Sequence, residues 1–346
     1  MMKLLYFLYC VLKTDRNEFS SFLSQSAVYY KKTKAKILLD ILICIFRYET
    51  MPLDYFYYKF MEMPAGERSK YTSRLLMYRF QNKFNKKNDR IIFKNKNLFY
   101  ITFKSFVFHK TWNISQAASL NDFLNWISET KPNKIVLKDP FGQVGKAVFV
   151  TNVDYSINGP LITNIPINQM ISQKIEKGYI LTEAYVKQHK VLMKLFPGSL
   201  NTIRITTFLH SNGYVELLYA IIRIGFDKPV DNFDAGGISA LINLDTGVVI
   251  GKVFFKNPFK RRDLENHPVT NSPILGLQIP YWQDILTMIK SAAMIVPSVR
   301  TVGWDVIITD DGPALLEGND NWDKTHWECC ENKGMKERVL ALYNEN

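Results

Sequence analysis

The stretch that most restricts this chain is Gly303-Trp304-Asp305-Val306-Ile307-Ile308-Thr309, which runs into Asp310-Asp311-Gly312-Pro313 and returns through Ala314-Leu315-Leu316-Glu317-Gly318-Asn319. Acid, glycine and proline between two short apolar runs are turn chemistry, so the segment reads as an antiparallel hairpin. A tight turn centred there sets Asp305 opposite a position between Leu316 and Gly318. Side chains alternate with period two, so Glu317 and Asn319 share one face. Two carboxylates and an amide oxygen then converge, a hard donor set that suits Mg²⁺ held partly by substrate phosphates. The alternative is a plain hairpin with a polar rim, because Asp and Asn also gather in turns for local reasons.

The rest of the 346-residue chain is ordinary for a globular protein, with 47% hydrophobic and 22% charged residues, and disorder does not dominate. The formal charge of +12 is uneven. Before Lys131 lie 21 of the 44 Lys and Arg against 10 of the 32 acids, an excess of +11 there and +1 beyond. The basic residues are densest at Lys83, Lys86, Lys87, Arg90, Lys94 and Lys96. Such a patch meets phosphates, an anionic membrane or an acidic saccharide, or is a solvated face. Aromatics interleave with these lysines, but the same residue types are abundant throughout, so nucleic-acid binding is not expected.

Cys10, Cys44, Cys329 and Cys330 have no C-x-x-C spacing, which predicts a reduced, cytoplasmic chain. A zinc site from His326, Cys329 and Cys330 matches no familiar spacing and is set aside. The apolar run at residues 4–12 is too short to span a bilayer and reads as a helix that is buried or rests on a membrane. That resting place would be the inner face.

Apolar spacing predicts helices over residues 35–48, 98–108, 120–127 and 280–296. Strands are predicted over 134–138, 147–150, 179–181, 203–209, 215–224, 238–244 and 248–253, before the hairpin. A helical, aromatic first third followed by mainly antiparallel strands is an α+β arrangement.

In Lys138-Asp139-Pro140-Phe141-Gly142-Gln143-Val144-Gly145-Lys146 a lysine ends a strand and a glycine-bearing turn follows, which reads as a phosphate cradle or a simple hairpin. It is not a Walker loop, since no Ser or Thr follows Lys146 and a strand comes next. Arg204, between Ile203 and Ile205, points away from both and suits an ion pair, a carboxylate or a phosphate. No Ser-His-Asp or Cys-His arrangement has persuasive context.

Taken in order, the lysine and glycine loop, Leu181-Thr182-Glu183-Ala184-Tyr185-Val186, Ser199-Leu200-Asn201-Thr202-Ile203-Arg204, and Asp305 with Glu317-Gly318-Asn319 resemble the ATP-grasp superfamily. The likeness is greatest to its sugar-transfer-associated, α-L-glutamate-ligase-related branch. Asn232-Phe233-Asp234-Ala235-Gly236-Gly237, His267-Pro268-Val269-Thr270 and Gly303-Trp304-Asp305-Val306 support it. It runs from about Lys96 to about Asp323.

The resemblance implies two α+β subdomains clasping ATP, behind a basic, mainly helical N-terminal region at 1–90. Residues 91–181 would carry the phosphate-binding lysines and glycine loop, and 182–346 the hinge and Mg²⁺ site. Lys138 would contact the α- and β-phosphates, Lys96 would be the first phosphate-side lysine, and Gly142 to Gly145 would close over the triphosphate. Glu183, Ala184 and Val186 would form the adenine hinge. Asp305, Glu317 and Asn319 would hold Mg²⁺, with Glu317 bridging two ions. Asn232, Gly236, Gly237 and His267 would lie on the substrate side, though His267-Pro268 also reads as a turn. Better-known ligases of the superfamily carry an arginine two residues before the metal-binding Asp, where this chain has Gly303; Arg204 and Arg223 are the candidates to replace it. The implied chemistry joins a carboxylate to an amine through an acyl phosphate, with an amino acid and a sugar acid or amino sugar as partners in cell-surface polysaccharide synthesis. The alternatives are a sugar phosphotransferase and a non-catalytic nucleotide-binding module in a polysaccharide assembly complex.

Overall fold

Period-two alternation in the C-terminal half builds the sheet on which the site stands. The computed structural model describes residues 2–107, 110–113, 120–142, 148–156, 159–162, 165–166, 169, 181–226, 236–255, 257–259 and 264–345. Its strands in chain order are β1 (Thr111–Asn113), β2 (Lys134–Lys138), β3 (Val148–Asn152), β4 (Asp154–Ser156), β5 (Gly159–Ile162), β6 (Ile165–Pro166), β7 (Leu181–Ala184), β8 (Thr202–Leu209), β9 (Val215–Ile224), β10 (Ile238–Ile242), β11 (Val249–Phe255), β12 (Thr301–Thr309) and β13 (Gly312–Asn319). They form a six-stranded sheet in the order β11-β10-β9-β8-β12-β13, a four-stranded sheet β1-β7-β2-β3 and a small sheet β4-β5-β6, with every pairing antiparallel.

The two faces of the large sheet differ in chemistry. Ile203, Ile205, Ile222, Val302, Trp304 and Val306 are fully or almost fully buried against the helix Trp282–Ala293 in the largest core. The opposite parity puts Arg204 beside Asp305 and Thr202 beside Arg223 across the strands. Around these residues that face turns apolar again, and Phe208, Tyr219, Ile221 and Phe254 join a second core with the N-terminal helices and Trp322 and Trp327. In the four-stranded sheet, Ile135 and Leu137 pack with Phe123 and Ile127 of the helix Leu120–Thr130. Lys138 and Glu183 fall on the other face, since Val136 pairs with Glu183 and Lys138 with Leu181.

The first third packs as a cap on that second core. Its helices include Met2–Lys13, Arg16–Tyr29, Lys34–Tyr48, Pro52–Tyr57 and Arg74–Phe84. A buried polar chain fastens it to the helix Lys324–Glu331, just beyond the hairpin. Lys324 Nζ donates to Asp54 Oδ2 at 2.8 Å and to the Tyr58 hydroxyl at 2.7 Å. The Tyr58 hydroxyl donates to Glu328 Oε2 at 2.7 Å, and the backbone amides of Thr72 and Met335 donate to Glu328 Oε1. Each charge is partnered, which is what lets Lys324 and Glu328 sit in the interior.

Several boundaries move. The helix expected at 98–108 begins at Lys96, ends at Thr102 and gives way to a 3-10 turn at Lys104–Phe106. Asn95 causes the early start, because its side chain accepts from the Asn97 and Leu98 amides at 2.9 and 3.3 Å and caps the helix there. The strands expected at 238–244 and 248–253 are 238–242 and 249–255. The helices Lys190–Leu195, Lys324–Glu331 and Lys336–Tyr343 had no expectation. Among the described residues no helix is long and apolar enough to cross a membrane.

Candidate functional site

The hairpin forms β12 and β13, with Asp305 directly opposite Glu317 and Gly303 opposite Asn319. An irregularity in the register follows Asp305, where Val306 pairs with Leu315. Asp305 is fully buried. Arg204, its cross-strand neighbour, grips it with both ends of the guanidinium: Nε bonds Oδ1, and Nη2 donates to Oδ2 at 2.9 Å. Arg223 reaches the same Oδ2 at 2.9 Å, while its Nε and Nη2 donate to Thr202 Oγ1 at 3.0 and 2.8 Å. Burial alone would raise the Asp305 pKa, but Arg204 and then Arg223 outweigh it and hold the carboxyl well below the usual range. Glu317 behaves oppositely: burial, then the charge of Asp305, pushes it up.

Gly303 leaves room for Arg204. A Cβ on Gly303 would lie 2.9 Å from Trp322 Cβ, 3.3 Å from Arg204 Cδ and 3.5 Å from Arg204 Nη1. The Arg204 side chain therefore lies over the backbone of residue 303, in space that a side chain there would need. Asn201 steadies the start of this strand: its Nδ2 donates to Leu192 O and Phe196 O at 3.0 and 2.9 Å, and its Oδ1 accepts from the Gly225 amide.

The facing wall comes from the smaller sheet and the helix Lys96–Thr102. Lys138 Nζ pairs with Glu183 Oε2 at 2.6 Å, and Tyr100 donates to Glu183 Oε1 at 2.6 Å. Burial and Glu183 drive the Tyr100 pKa well above its ordinary value, so its hydroxyl stays a donor. Lys96 Nζ bonds the Gly142 carbonyl, and its amide donates to Pro140 O at 3.1 Å. Burial lowers the Lys96 pKa, Glu317 and Glu183 act to raise it, and Lys138 adds to the lowering. Lys96 thus lies within electrostatic reach of both walls. Gly318 sets this distance, since a Cβ there would lie 2.8 Å from Phe93 Cδ1 and 2.9 Å from Phe99 Cε2. The absent side chain lets the helix carrying Lys96 rest on β13.

Other expected residues are placed differently. His267 is buried, with Nε2 2.8 Å from Gly225 O and Nδ1 accepting from the Val269 and Thr270 amides at 3.3 Å. Both nitrogens are engaged by backbone, and the ring pins its own turn. Burial lowers its pKa, in keeping with a neutral ring that donates from Nε2. Gly236 has φ of 101° and ends the segment that enters β10, with Gly237 buried beside it. Ala184 continues β7 and its amide donates to Lys110 O at 2.9 Å; Val186 follows, half-buried. Gly145 and Asn232 lie outside the described residues. Gly142 belongs to a turn in which its amide donates to Asp139 O at 3.0 Å.

Two residues escaped the sequence reading. Tyr100, which fixes Glu183, stands four places after Lys96 on one helix face, a spacing that points to it. Thr202, which fixes Arg223, carries no such signal.

Two adjacent carboxylates, Asp305 buried and Glu317 half-buried, fit a divalent cation, with the Asn319 amide beside them. Asp305 raises the Glu317 pKa, a like-charge strain that a cation relieves, and Asn319 Nδ2 lies 3.5 and 3.4 Å from Asp305 Oδ2 and Glu317 Oε1. No cluster of three or more His, Cys, Asp or Glu poised to hold a metal occurs among the described residues; Asn319 turns its amide nitrogen to the two carboxylates, and its oxygen would join a cation there once the amide turns over.

A family profile described as sugar-transfer associated ATP-grasp matches residues 75–343. Solved structures that match include D-alanine–D-alanine ligase from Bacillus anthracis, 14% identical, covering 73% of this chain and 66% of that one with a TM-score of 0.39. Another is N5-carboxyaminoimidazole synthetase from Staphylococcus aureus, 12% identical, covering 74% and 52% with a TM-score of 0.42. The D-alanine-D-alanine ligase from Coxiella burnetii is 9% identical, covering 73% and 57% with a TM-score of 0.42. This chain spans between about half and two thirds of the length of these matches. No curated protein matches.

Proposed function

Because the chain belongs to the sugar-transfer-associated ATP-grasp family and has its α+β fold, we propose that it is an ATP-dependent carboxylate–amine ligase. Its partners would be an amino acid and a sugar acid or amino sugar, joined during cell-surface polysaccharide synthesis. The observation that carries this is that Lys96 lies within electrostatic reach of two charge sets, Lys138 paired with Glu183 and Glu317 standing opposite Asp305 with its arginines.

In this reading residues 91–181 and 182–346 are the two halves of the clasp and 1–90 is the helical addition. Lys96 and Lys138 take the α- and β-phosphates, and Gly142 and Gly145 close over them. Glu183 keeps Lys138 aimed, while backbone at Ala184 and Val186 reads adenine. Asp305, Glu317 and Asn319 hold Mg²⁺, which when bound supplies positive charge to the phosphate oxygens. A carboxylate oxygen of the acceptor attacks the γ-phosphorus and ADP leaves. Arg204 and Arg223, both held at Asp305, would meet the negative charge that gathers on the phosphoryl oxygens, and fixed guanidinium groups stabilise such charge without reorganisation. The amine then attacks the acyl carbon, loses a proton and expels phosphate. Asn232, Gly236 and Gly237 border the acceptor side, and His267 shapes that border through Gly225. The setting is the cytoplasmic side of a membrane, met peripherally by the N-terminal region.

The test is an ADP-release screen of amino acids against uronic acids and amino sugars, with mass detection of the conjugate. A ligase releases ADP and phosphate only when both co-substrates are present. ADP without phosphate would mark a sugar phosphotransferase and overturn the ligase reading. ATP binding with no turnover for any pair would favour a nucleotide-binding module.

A further inference from the structure

The helices Met2–Lys13 and Lys34–Tyr48 pack side by side, joined by a stacked Phe7–Phe46 pair with ring centroids 5.6 Å apart. Each buries only one stripe, Cys10 on the first and Ile37, Ile41, Cys44 and Ile45 on the second. The outer stripes are also apolar. Leu4, Leu5, Leu8, Val11 and Leu12 are 46–79% exposed, and Leu38, Leu39, Leu42, Ile43 and Phe46 are 37–61% exposed. Positions 4, 5, 8, 11 and 12 fall on one side of a helix, as do 38, 39, 42, 43 and 46, so two neighbouring helices turn ten large apolar side chains outward. Soluble proteins seldom leave such a patch bare.

Charge chooses what covers it. Lys3, Lys13, Lys34, Lys36 and Arg47 are exposed on these two helices. Their one acid, Asp40, is held by Arg68 at 2.8 Å and accepts from the Tyr55 hydroxyl at 2.7 Å. A second copy of the face would bring cation against cation, whereas an anionic lipid surface answers both the leucines and the lysines. At 12 and 15 residues the helices are shorter than the roughly 20 needed to cross a bilayer, so they lie in its interface.

We propose that this two-helix face is a monotopic docking surface for an anionic bilayer, with the leucines below the headgroups and the five cations at their level. It gives a surface to the peripheral membrane contact in the proposed function but needs nothing from the ligase chemistry. Tyr6 and Tyr9 line a cavity of about 440 Å³ with Arg74, Asn82, Arg90 and Asn321.

Full-length protein is floated with phosphatidylcholine vesicles, with and without phosphatidylglycerol, in the absence of ATP. Binding is expected only with phosphatidylglycerol, weakening as salt rises. Leu12→Asp and Leu39→Asp should each weaken it about tenfold, and Lys3→Glu with Arg47→Glu should weaken it further. These sites are exposed, so unchanged melting curves should accompany the loss. Failure of the wild type to float, or floating of Leu12→Asp with Leu39→Asp at the wild-type level, overturns the proposal. A dimer in solution that Leu39→Asp dissolves, with no vesicle binding, assigns the face to a second copy and also overturns it. ADP release in solution is a separate readout, so a failed flotation leaves the catalytic reading standing.

Discussion

Replacing Gly318 by alanine tests whether Lys96 is held at its distance by close contact. The new Cβ would lie 2.8 Å from Phe93 Cδ1, 2.9 Å from Phe99 Cε2 and 3.1 Å from Phe93 Cε1. Carbon atoms are comfortable at about 3.5–4.0 Å, so both rings must retreat by roughly 0.7 Å or more. Phe93 is wedged against Phe103 and Trp304, with centroids 5.7 and 5.9 Å away, and cannot absorb the shift alone. The segment 91–102 should move as a unit and carry Lys96 off Glu317. Overpacking of this kind costs about 1–3 kcal/mol, which lowers a melting temperature by roughly 2–4 °C per kcal/mol in a sizeable domain. A displacement near 1 Å of a group that positions substrate can cost about 100-fold in rate. Gly318→Ala should therefore melt several degrees lower and lose far more in kcat/KM for ATP than stability explains, measured by thermal melts and coupled ADP release. Phe93→Leu in the same chain removes one struck ring and should recover part of both losses, a coupling a double-mutant cycle reads directly. Unchanged melting and ATP kinetics in Gly318→Ala would refute the argument that contact at residue 318 sets the position of Lys96.

Glu317→Gln should abolish Mg²⁺-dependent ADP release while leaving thermal stability equal or higher, because the folded state already disfavours that charge. Asp305→Asn should lose activity and also about 3–5 kcal/mol, since it strands the buried Arg204 guanidinium and removes the charge that Arg223 faces; urea titration separates the two variants. The folded pKa of Glu317 lies above its ordinary 4.5, so its protonated form favours the fold, fully below that value and no longer once pH rises past the folded one. Cation binding needs the ionised form, and half-saturating Mg²⁺ should climb about tenfold per pH unit below the raised value, read by ADP release or calorimetry with the Glu317→Gln variant as a flat control. Lys324→Met should cost about 3–5 kcal/mol by leaving Asp54 buried without its partner, seen as a lower urea midpoint.

The hairpin was legible because everything about it is local. Turn residues fix the reversal, period two fixes the faces, and the pairing of Asp305 with Glu317 follows. Arg204 was legible in direction, since Ile203 and Ile205 had to face the core, but not in its partner. That it covers Gly303 and clasps Asp305 depends on two strands separated by about a hundred residues, and alternation says nothing about which strands are neighbours. The helix Lys34–Tyr48 was legible in extent, yet its apolar residues occupy both sides, so the sequence alone could not say which stripe stays outside. The partnership of Asp54 with Lys324 left no pattern at all, because a buried ion pair between distant segments has no period.

That partnership has a practical meaning for anyone reading activity data. Lys324 begins a helix five residues after Asn319, and its ammonium is anchored in the first sixty residues of the chain, ahead of the segment the family profile matches. A random screen for inactive variants should return positions such as Asp54 and Tyr58 that touch no substrate. A chimera that exchanges the opening helices with those of a relative should stay inactive until residues 324 and 328 travel with them.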